Sequence, residues 1–388
     1  MKKIKLILIY ILTCTLLVGC WNYNEIDQVE IVLGIGIDSH IILAKERGKL
    51  SESQYHVTYE IVGIESEKGQ LKSRILKNEG DTFFRAIRKI IEKNGKRAYL
   101  AHMKILVISE ELAKKDIREI LDYTMRDVEY RPDVHVLITD NNKAEDIFQE
   151  SEEVVSMKLN DALKNQNKIG TFESITVWNI IDKLTKKGYE PVIPLVRVTK
   201  EGEKIVHIIG GIAVFKGTKM VGKLTEDETL YYLFIDNEIK NQPLSMEYFY
   251  ENNLGHVSVE IYKSNTKVTP VFKDDKISMK INIECNVSVN ELSEEIDITS
   301  EKERIKLEEH IAKTIEKGVQ DVILRAQKDY NSDIFGFGDL IKRKNNSKWK
   351  KVQDDWDSIF PTIPVVTNVN VNITRTALSS QSIKIDEY

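Results

Sequence analysis

The chain reads as a succession of apolar runs whose period changes along its length. The first, "VEIVLGIGID" from Val29, is nearly continuous and fits a strand buried on both faces. After a long polar stretch, "QYHVTYEIVGI" alternates, with Val57, Tyr59 and Ile61 on one side. Asp81 then stands as an N-cap before "TFFRAIRKIIEKNG". There Phe83, Ile87, Ile90 and Ile91 recur at helical spacing, and Asn94-Gly95 is a stop signal. Next come strand "MKILVIS", helix "EELAKKDIREILDYTM" capped by Ser109, and strand "DVHVLITD". Two helices are predicted over 154–166 and 174–187, the second ending at Gly188; Pro191 and Pro194 open a strand reaching Val198. Strands and helices in that order predict an α/β unit with some parallel pairing.

"TKEGEK" around Gly202 is the best boundary signal. Beyond it, "IVHIIGGIAVFKGTKMVGKL" reads as a strand and a hairpin turning at Lys216-Gly217. Thr225 and Glu228 make a capping box for a short helix through Phe234. The last third alternates at period 2 near 256–262, 267–272 and 277–289. Ser300 and Glu303 form a second capping box, opening a helix of about 28 residues and about 42 Å. Ile305, Ala312, Ile315, Val319, Val322 and Ala326 make its seam, and Val369, Val371 and Ile373 share one face of a final strand. A helix laid across a sheet would bury that seam.

The fold class is therefore α/β and α+β, multidomain. Residues 20–200 form a mixed α/β domain and 201–250 a hairpin–helix middle unit able to pack on strands 29–37 and 55–64. Residues 251–388 form a mostly antiparallel sheet with one long helix packed across it.

The start follows a different rule. Lys2, Lys3 and Lys5 precede an apolar stretch from Leu6 to Val18, and Gly19 directly precedes Cys20. A basic start, a short apolar core and a small residue before the cut describe a signal peptide over 1–19. The core is too short to span a bilayer, which takes about 20 residues. "LVGC" resembles a bacterial lipobox, in which the cysteine sulfur carries a diacylglyceryl group. Two acyl chains anchor stably where one does not, so the expected product is a lipoprotein body tied to the outer face of the cytoplasmic membrane.

Charge removes one class of partner. The formal net charge is −5, and loss of the three leader lysines leaves about −8. That balance opposes nucleic-acid binding, which neutralises phosphates. Of the three cysteines, Cys14 leaves with the leader and Cys20 is acylated, so Cys285 has no partner for a bridge. In "KINIECNVSVN" it shares parity with Ile281, Ile283, Val287 and Val289, on the buried face of a strand.

No catalytic or cofactor motif emerges. "GIGIDS" carries Gly34 and Gly36, but Ser39 replaces a third glycine, and a strand follows where a dinucleotide motif needs a helix. Its glycines are expected to allow close packing. The seven histidines show no metal spacing, and neighbouring acids such as Asp354-Asp355 are not an acid–base pair. Neither an enzyme, a cofactor nor a metal is expected. Two C-terminal stretches stand out instead. "DIFGFGDLIKRK" sets Asp333, Phe335, Gly336, Phe337 and Gly338 ahead of Lys342 and Arg343; "KWKKVQDDWDSIFP" adds Trp349 and Trp356. These residues are the candidate partner-binding set, with core aromatics beside a solvated cationic face as the plainer alternative. Within it, one phenyl ring is expected in the core and the other against Trp349 or Trp356; the glycines are expected to serve positive φ or close approach, with positive φ tested at Gly338.

The lipobox with "CWNYNEIDQVEIVLGIGID", then "GGIAVFKGTKMVGKLTEDET", "DIFGFGDLIKR" and the closing "ITR" resembles the Ger(x)C family over essentially the whole mature chain. These are the C-subunit lipoproteins of spore germinant receptors. Ala377 departs from the glycine common after the "RT" pair. The resemblance implies a three-domain body on the outer surface of the inner spore membrane. Its implied partners are a membrane-embedded A subunit and a transporter-like B subunit. It also implies nutrient sensing by the complex, which triggers release of ions and dipicolinate, and no catalysis by this subunit. A solute-binding lipoprotein feeding a transporter is the alternative, but it should show two similar lobes, and the halves of this chain differ.

Overall fold

The computed structural model describes residues 3–5, 10, 28–40, 54–65, 70–149, 153–250, 253–274, 276–292, 298 and 300–376. Two sheets organise them. The first begins with β1 (Val29–His40), β2 (Gln54–Glu65) and β3 (Gln70–Gly80), paired antiparallel. Then come α1 (Phe83–Arg88), α2 (Ile90–Asn94), β4 (Arg97–Tyr99), β5 (Ile105–Ile108), α3 (Glu110–Lys115), α4 (Arg118–Arg126) and β6 (His135–Thr139). Helices α5 (Ala144–Ile147), α6 (Val155–Lys164) and α7 (Val177–Leu184) precede β7 (Val192–Glu201), β8 (Lys204–Lys216) and β9 (Lys219–Leu224). The strand order is β3-β2-β1-β5-β6-β7-β8-β9, with β4 beside β1; β1, β5, β6 and β7 run parallel.

Helices cover both faces. Phe83, Ile87, Leu112, Ile120 and Ile180 pack on Val57, Tyr59 and Ile61 of one face, while Ile147, Phe148 and Leu159 pack on Ile105, Val107 and Leu137 of the other. Gly34 and Gly36 lie under that second layer. A Cβ on Gly34 would stand 2.1 Å from the Ser156 hydroxyl, so close packing explains both.

Several predicted helices are shorter or broken. The cap at 81–82 is Thr82, whose hydroxyl accepts from Arg85 N at 3.2 Å, while Asp81 accepts from Thr82 N. The 110–125 helix breaks at Asp116, whose carboxylate restarts the chain by accepting from Arg118 N at 2.8 Å. Gly202 turns β7 into β8, two strands of one sheet. The hairpin of segment 201–250 thus joins the sheet of strands 29–37 and 55–64 at its far edge, beside β7.

Helix α8 (Glu226–Asp236) leads to the second sheet, formed by β10 (Gln242–Tyr250), β11 (Asn253–Lys273), β12 (Lys276–Leu292) and, after the helices, β13 (Val365–Thr376). Only the β12–β13 pair is parallel. The strands expected at 256–262 and 267–272 are one strand, because polar residues 263–267 stay on the ladder opposite 282–286, past a bulge. The long helix α9 (Glu301–Arg325) crosses this sheet and runs on through a π-helical turn at 326–330. Leu307, Ile311, Ile315, Val319 and Val322 bury its seam. Ile305 is 43% exposed and does not belong to it. The Thr225–Glu228 box forms in both directions, whereas the Ser300 side chain makes no cap bond. Three short helices, α10 (Phe337–Lys344), α11 (Asn346–Val352) and α12 (Trp356–Ile359), close the chain before β13. One core unites Val192, Ile212 and Leu224 of the first sheet with α8, the second sheet and α9.

Candidate partner-binding site

The stretch from Ser332 to Asp339 is a staple between the two sheets. Ser332 donates its hydroxyl to Phe215 O at 2.5 Å, and Asp333 O accepts from Glu190 N at 2.9 Å. The buried Asp333 carboxylate accepts three bonds: Phe337 N at 3.0 Å, Gly338 N at 2.9 Å and the Trp356 indole Nε1 at 3.1 Å. It thereby caps α10 and fixes α12 together. Burial pushes Asp333 up to about 7 against the pull of these donors. Burial likewise raises Glu190, whose carboxylate accepts from Gly217 N at 2.6 Å.

The two glycines have different tasks. Gly336 has φ +67°, a left-handed conformation that favours glycine. Gly338 does not; it is required by proximity, since an added Cβ would stand 2.7 Å from Gly188 Cα. Asp339 N donates to Gly188 O at 3.2 Å across that contact. The positive φ considered for Gly338 falls on Gly336 instead, and Gly338 is glycine for close approach.

The rings also differ in detail from expectation. Phe337 is fully buried, while the half-buried Phe335 stacks on it at 5.2 Å and approaches Tyr232 at 6.1 Å. Trp349 and Trp356 meet edge to face at 5.2 Å and connect to Phe337 through Phe360. Phe335 sits on the Tyr232 side of Phe337 because Phe360 takes the position between Phe337 and Trp356. Asp333, Phe337, Gly338, Trp349 and Trp356 are buried. What they present to solvent is a cationic edge of Lys342, Arg343 and Lys344 at the C-terminus of α10, with Lys350 and Lys351 on α11. Cations there complement the helix dipole, and Arg343 reaches back to Asp339 at 3.0 Å. Cys20 lies outside the described residues.

A second polar group was hidden from sequence reasoning. Lys183 of α7 pairs with Glu173 at 3.1 Å and lies 5.0 Å over the Tyr189 ring, all at the junction with α8. Burial pushes the ammonium down, but Glu173 prevails and holds it above its usual value; burial raises Glu173. Ten residues separate the pair, and no motif marks it. Cys285 is buried in the second core, and burial pushes its thiol up to about 11. Among the described residues, no three His, Cys, Asp or Glu side chains meet so as to hold a metal.

Two family descriptions match, in chain order. Residues 22–198 match the spore germination protein N-terminal domain, and residues 210–377 match the spore germination B3/GerAC like, C-terminal family. Spore germination protein KC of Bacillus subtilis (strain 168) is 24% identical over 412 residues, covering 99% of this chain and 98% of that protein. Spore germination protein A3 of the same strain is 25% identical over 379 residues, covering 95% and 96%. Bacillus cereus spore germination protein GerQC is 20% identical, covering 96% and 99%. The crystal structure of the GerBC protein shares the fold, with a TM-score of 0.54 and 20% identity over 91% of this chain and all of that one.

Proposed function

The chain belongs to the Ger(x)C family of spore germination proteins, and on that premise we propose that it is a non-enzymatic lipoprotein subunit of a nutrient germinant receptor. Acylated Cys20 would hold it on the outer face of the inner spore membrane. It would act by contact with membrane-embedded A and B subunits, with no nucleic acid, cofactor or metal. No helix among the described residues is long and apolar enough to cross a membrane.

The observation that carries the contact role is the exposed cationic edge of α10 and α11, mounted on a buried base. Ser332 bonds that base to Phe215 of the first sheet, and Trp349 and Trp356 pack it into the core shared with the second. Such a charged edge suits docking, since complementary charge steers and orients association. Exposed charges contribute little to folding. Reversing two of them, Lys342→Glu with Arg343→Glu, should therefore leave the melting temperature within about 2 °C of the parent. The same spores should germinate more slowly and retain less A and B subunit when the protein is purified from membranes. Normal germination with full subunit recovery would refute the docking role.

A further inference from the structure

Helices α1 and α2 and helix α4 run side by side toward the end of the sheet at which β1 begins. An open groove of about 550 Å³ separates them, floored by Phe83, Ile90 and Leu100. Its rim is apolar where solvent would be expected: Phe84 and Ile91 are about half exposed, and Val128 at the tip is 99% exposed. Residues 83–97 hold six basic side chains and one acid; Arg85 pairs with Asp81 and Arg97 with Glu129, while Arg88, Lys89, Lys93 and Lys96 continue the strip. The acids of the α4 wall are taken up locally. Asp122 pairs with Arg126, Glu129 with Arg97, and Glu119 and Asp127 accept from Tyr55 and Tyr123 hydroxyls. An apolar groove with a basic strip along α1 and α2 matches an anionic bilayer surface, where such residues insert among headgroups; Asp127 and Glu129 beside Val128 are held by the Tyr123 hydroxyl and Arg97.

The entry point of the chain selects the same end. Val29 is paired with Arg97 in the parallel β1–β4 ladder, at the mouth of this groove. Nine peptide steps separate Val29 from Cys20, and at roughly 3.3–3.6 Å each they span about 30 Å at most. We propose that this end of the first domain lies on the bilayer, with Val128 and Phe84 inserted at the headgroup level and α1–α2 against anionic lipid. The inference rests on the acylation of Cys20 for its tether. The opposite end of the parallel strands, at Lys143, then faces away from the membrane.

The full acylated chain, reconstituted in phosphatidylglycerol–phosphatidylethanolamine vesicles, tests this. Single Val128→Cys and Lys143→Cys variants take a bimane label on the new thiol, because Cys285 is buried. Bromine-chain lipids should quench the label at 128 at least twice as strongly as at 143. Lys89→Glu with Lys96→Glu should abolish that difference, as should neutral phosphatidylcholine. Equal quenching at both positions overturns the inference, and so does quenching at 128 that requires added A and B subunits, which would make the groove a protein-binding site. Flotation of Cys20→Ala separates the two readings. If it floats like the parent, the anchor fails; if only the parent floats but 128 stays unquenched, the orientation alone fails.

Discussion

At the scale of single residues, Asp333 and the glycines around it determine how the C-terminal unit seats on the first sheet. Gly338→Ala places a methyl 2.7 Å from Gly188 Cα, a backbone atom that cannot rotate away. Overpacking of this kind costs about 1–3 kcal/mol. Gly336→Ala must hold φ +67°, a strain of about 1–2 kcal/mol, and brings its methyl 3.0 Å from the Tyr189 ring. Both losses are read from urea unfolding, and 338 should be the larger. Asp333 adds a pH dependence. Its folded value of about 7 lies above its ordinary 3.8, so its contribution is complete below the lower value and is lost as pH rises through the higher. The parent should melt at lower temperature at pH 8 than at pH 5.5. Asp333→Asn turns an amide toward Gly338 N and the Trp356 indole, so it should be less stable at both pH values with a shallower slope between them. Buried Glu173 and half-buried Glu190, raised in the same direction, add to the slope that remains, while His135 and His207, lowered by burial, oppose it. An unchanged slope in the Asn variant would move the titration away from Asp333.

At the scale of elements, the long helix shows what periodicity can and cannot deliver. Leu307, Ile311, Ile315 and Val319 follow one another four apart and form one stripe, whereas Ile305 precedes Ile315 by ten residues, about 80° off that stripe at 100° per residue. Counting apolar residues included Ile305; only the angle excludes it. Ile311→Ala should cost about 2–5 kcal/mol, as a fully buried truncation does, and Ile305→Ala less than about 1 kcal/mol, both measured by chemical unfolding. Similar costs would place the seam elsewhere. The same physics explains the other departures. Strand β3, "QLKSRILKNEG", buries Ser73 and Asn78 on inward positions, so no alternation announces it. Strand β10 does alternate through Leu244, Met246 and Tyr248, a signal that was there to be read beside Pro243. The aromatic–glycine motif holds both a buried base and an exposed cationic end, and the sequence alone does not separate the two. That separation depends on Phe215, Gly188 and Glu190, more than a hundred residues away in the chain.

At the scale of the whole molecule, the division suggested by sequence and the division made by packing do not coincide. The two family matches meet between residues 198 and 210, across the turn at Gly202, yet that turn joins adjacent strands of one ladder. Val192 and Ile212, on either side of it, bury the same face into the core that holds α8, α9 and the second sheet. Tyr330 strengthens the join by donating to Lys223 O at 2.6 Å, and Arg325 pairs with Glu228 across it. Elements that share one core lose their contacts together, so the two sheets should unfold as a cooperative unit. In a Trp21→Phe, Trp178→Phe background, Trp349 and Trp356, buried in the C-terminal unit, report that part by fluorescence, while far-ultraviolet circular dichroism reports both sheets. The two melting curves should coincide within about 2 °C, and Gly338→Ala should lower both midpoints by a similar amount. A first dichroism transition unaccompanied by a fluorescence change would mean that the first sheet melts alone. In that case the junction would be a docked interface, and a partner's pull on α10 would remain confined to the C-terminal unit. A single transition means that the two sheets are one cooperative unit, to whose join the Glu190 N–Asp333 O bond belongs.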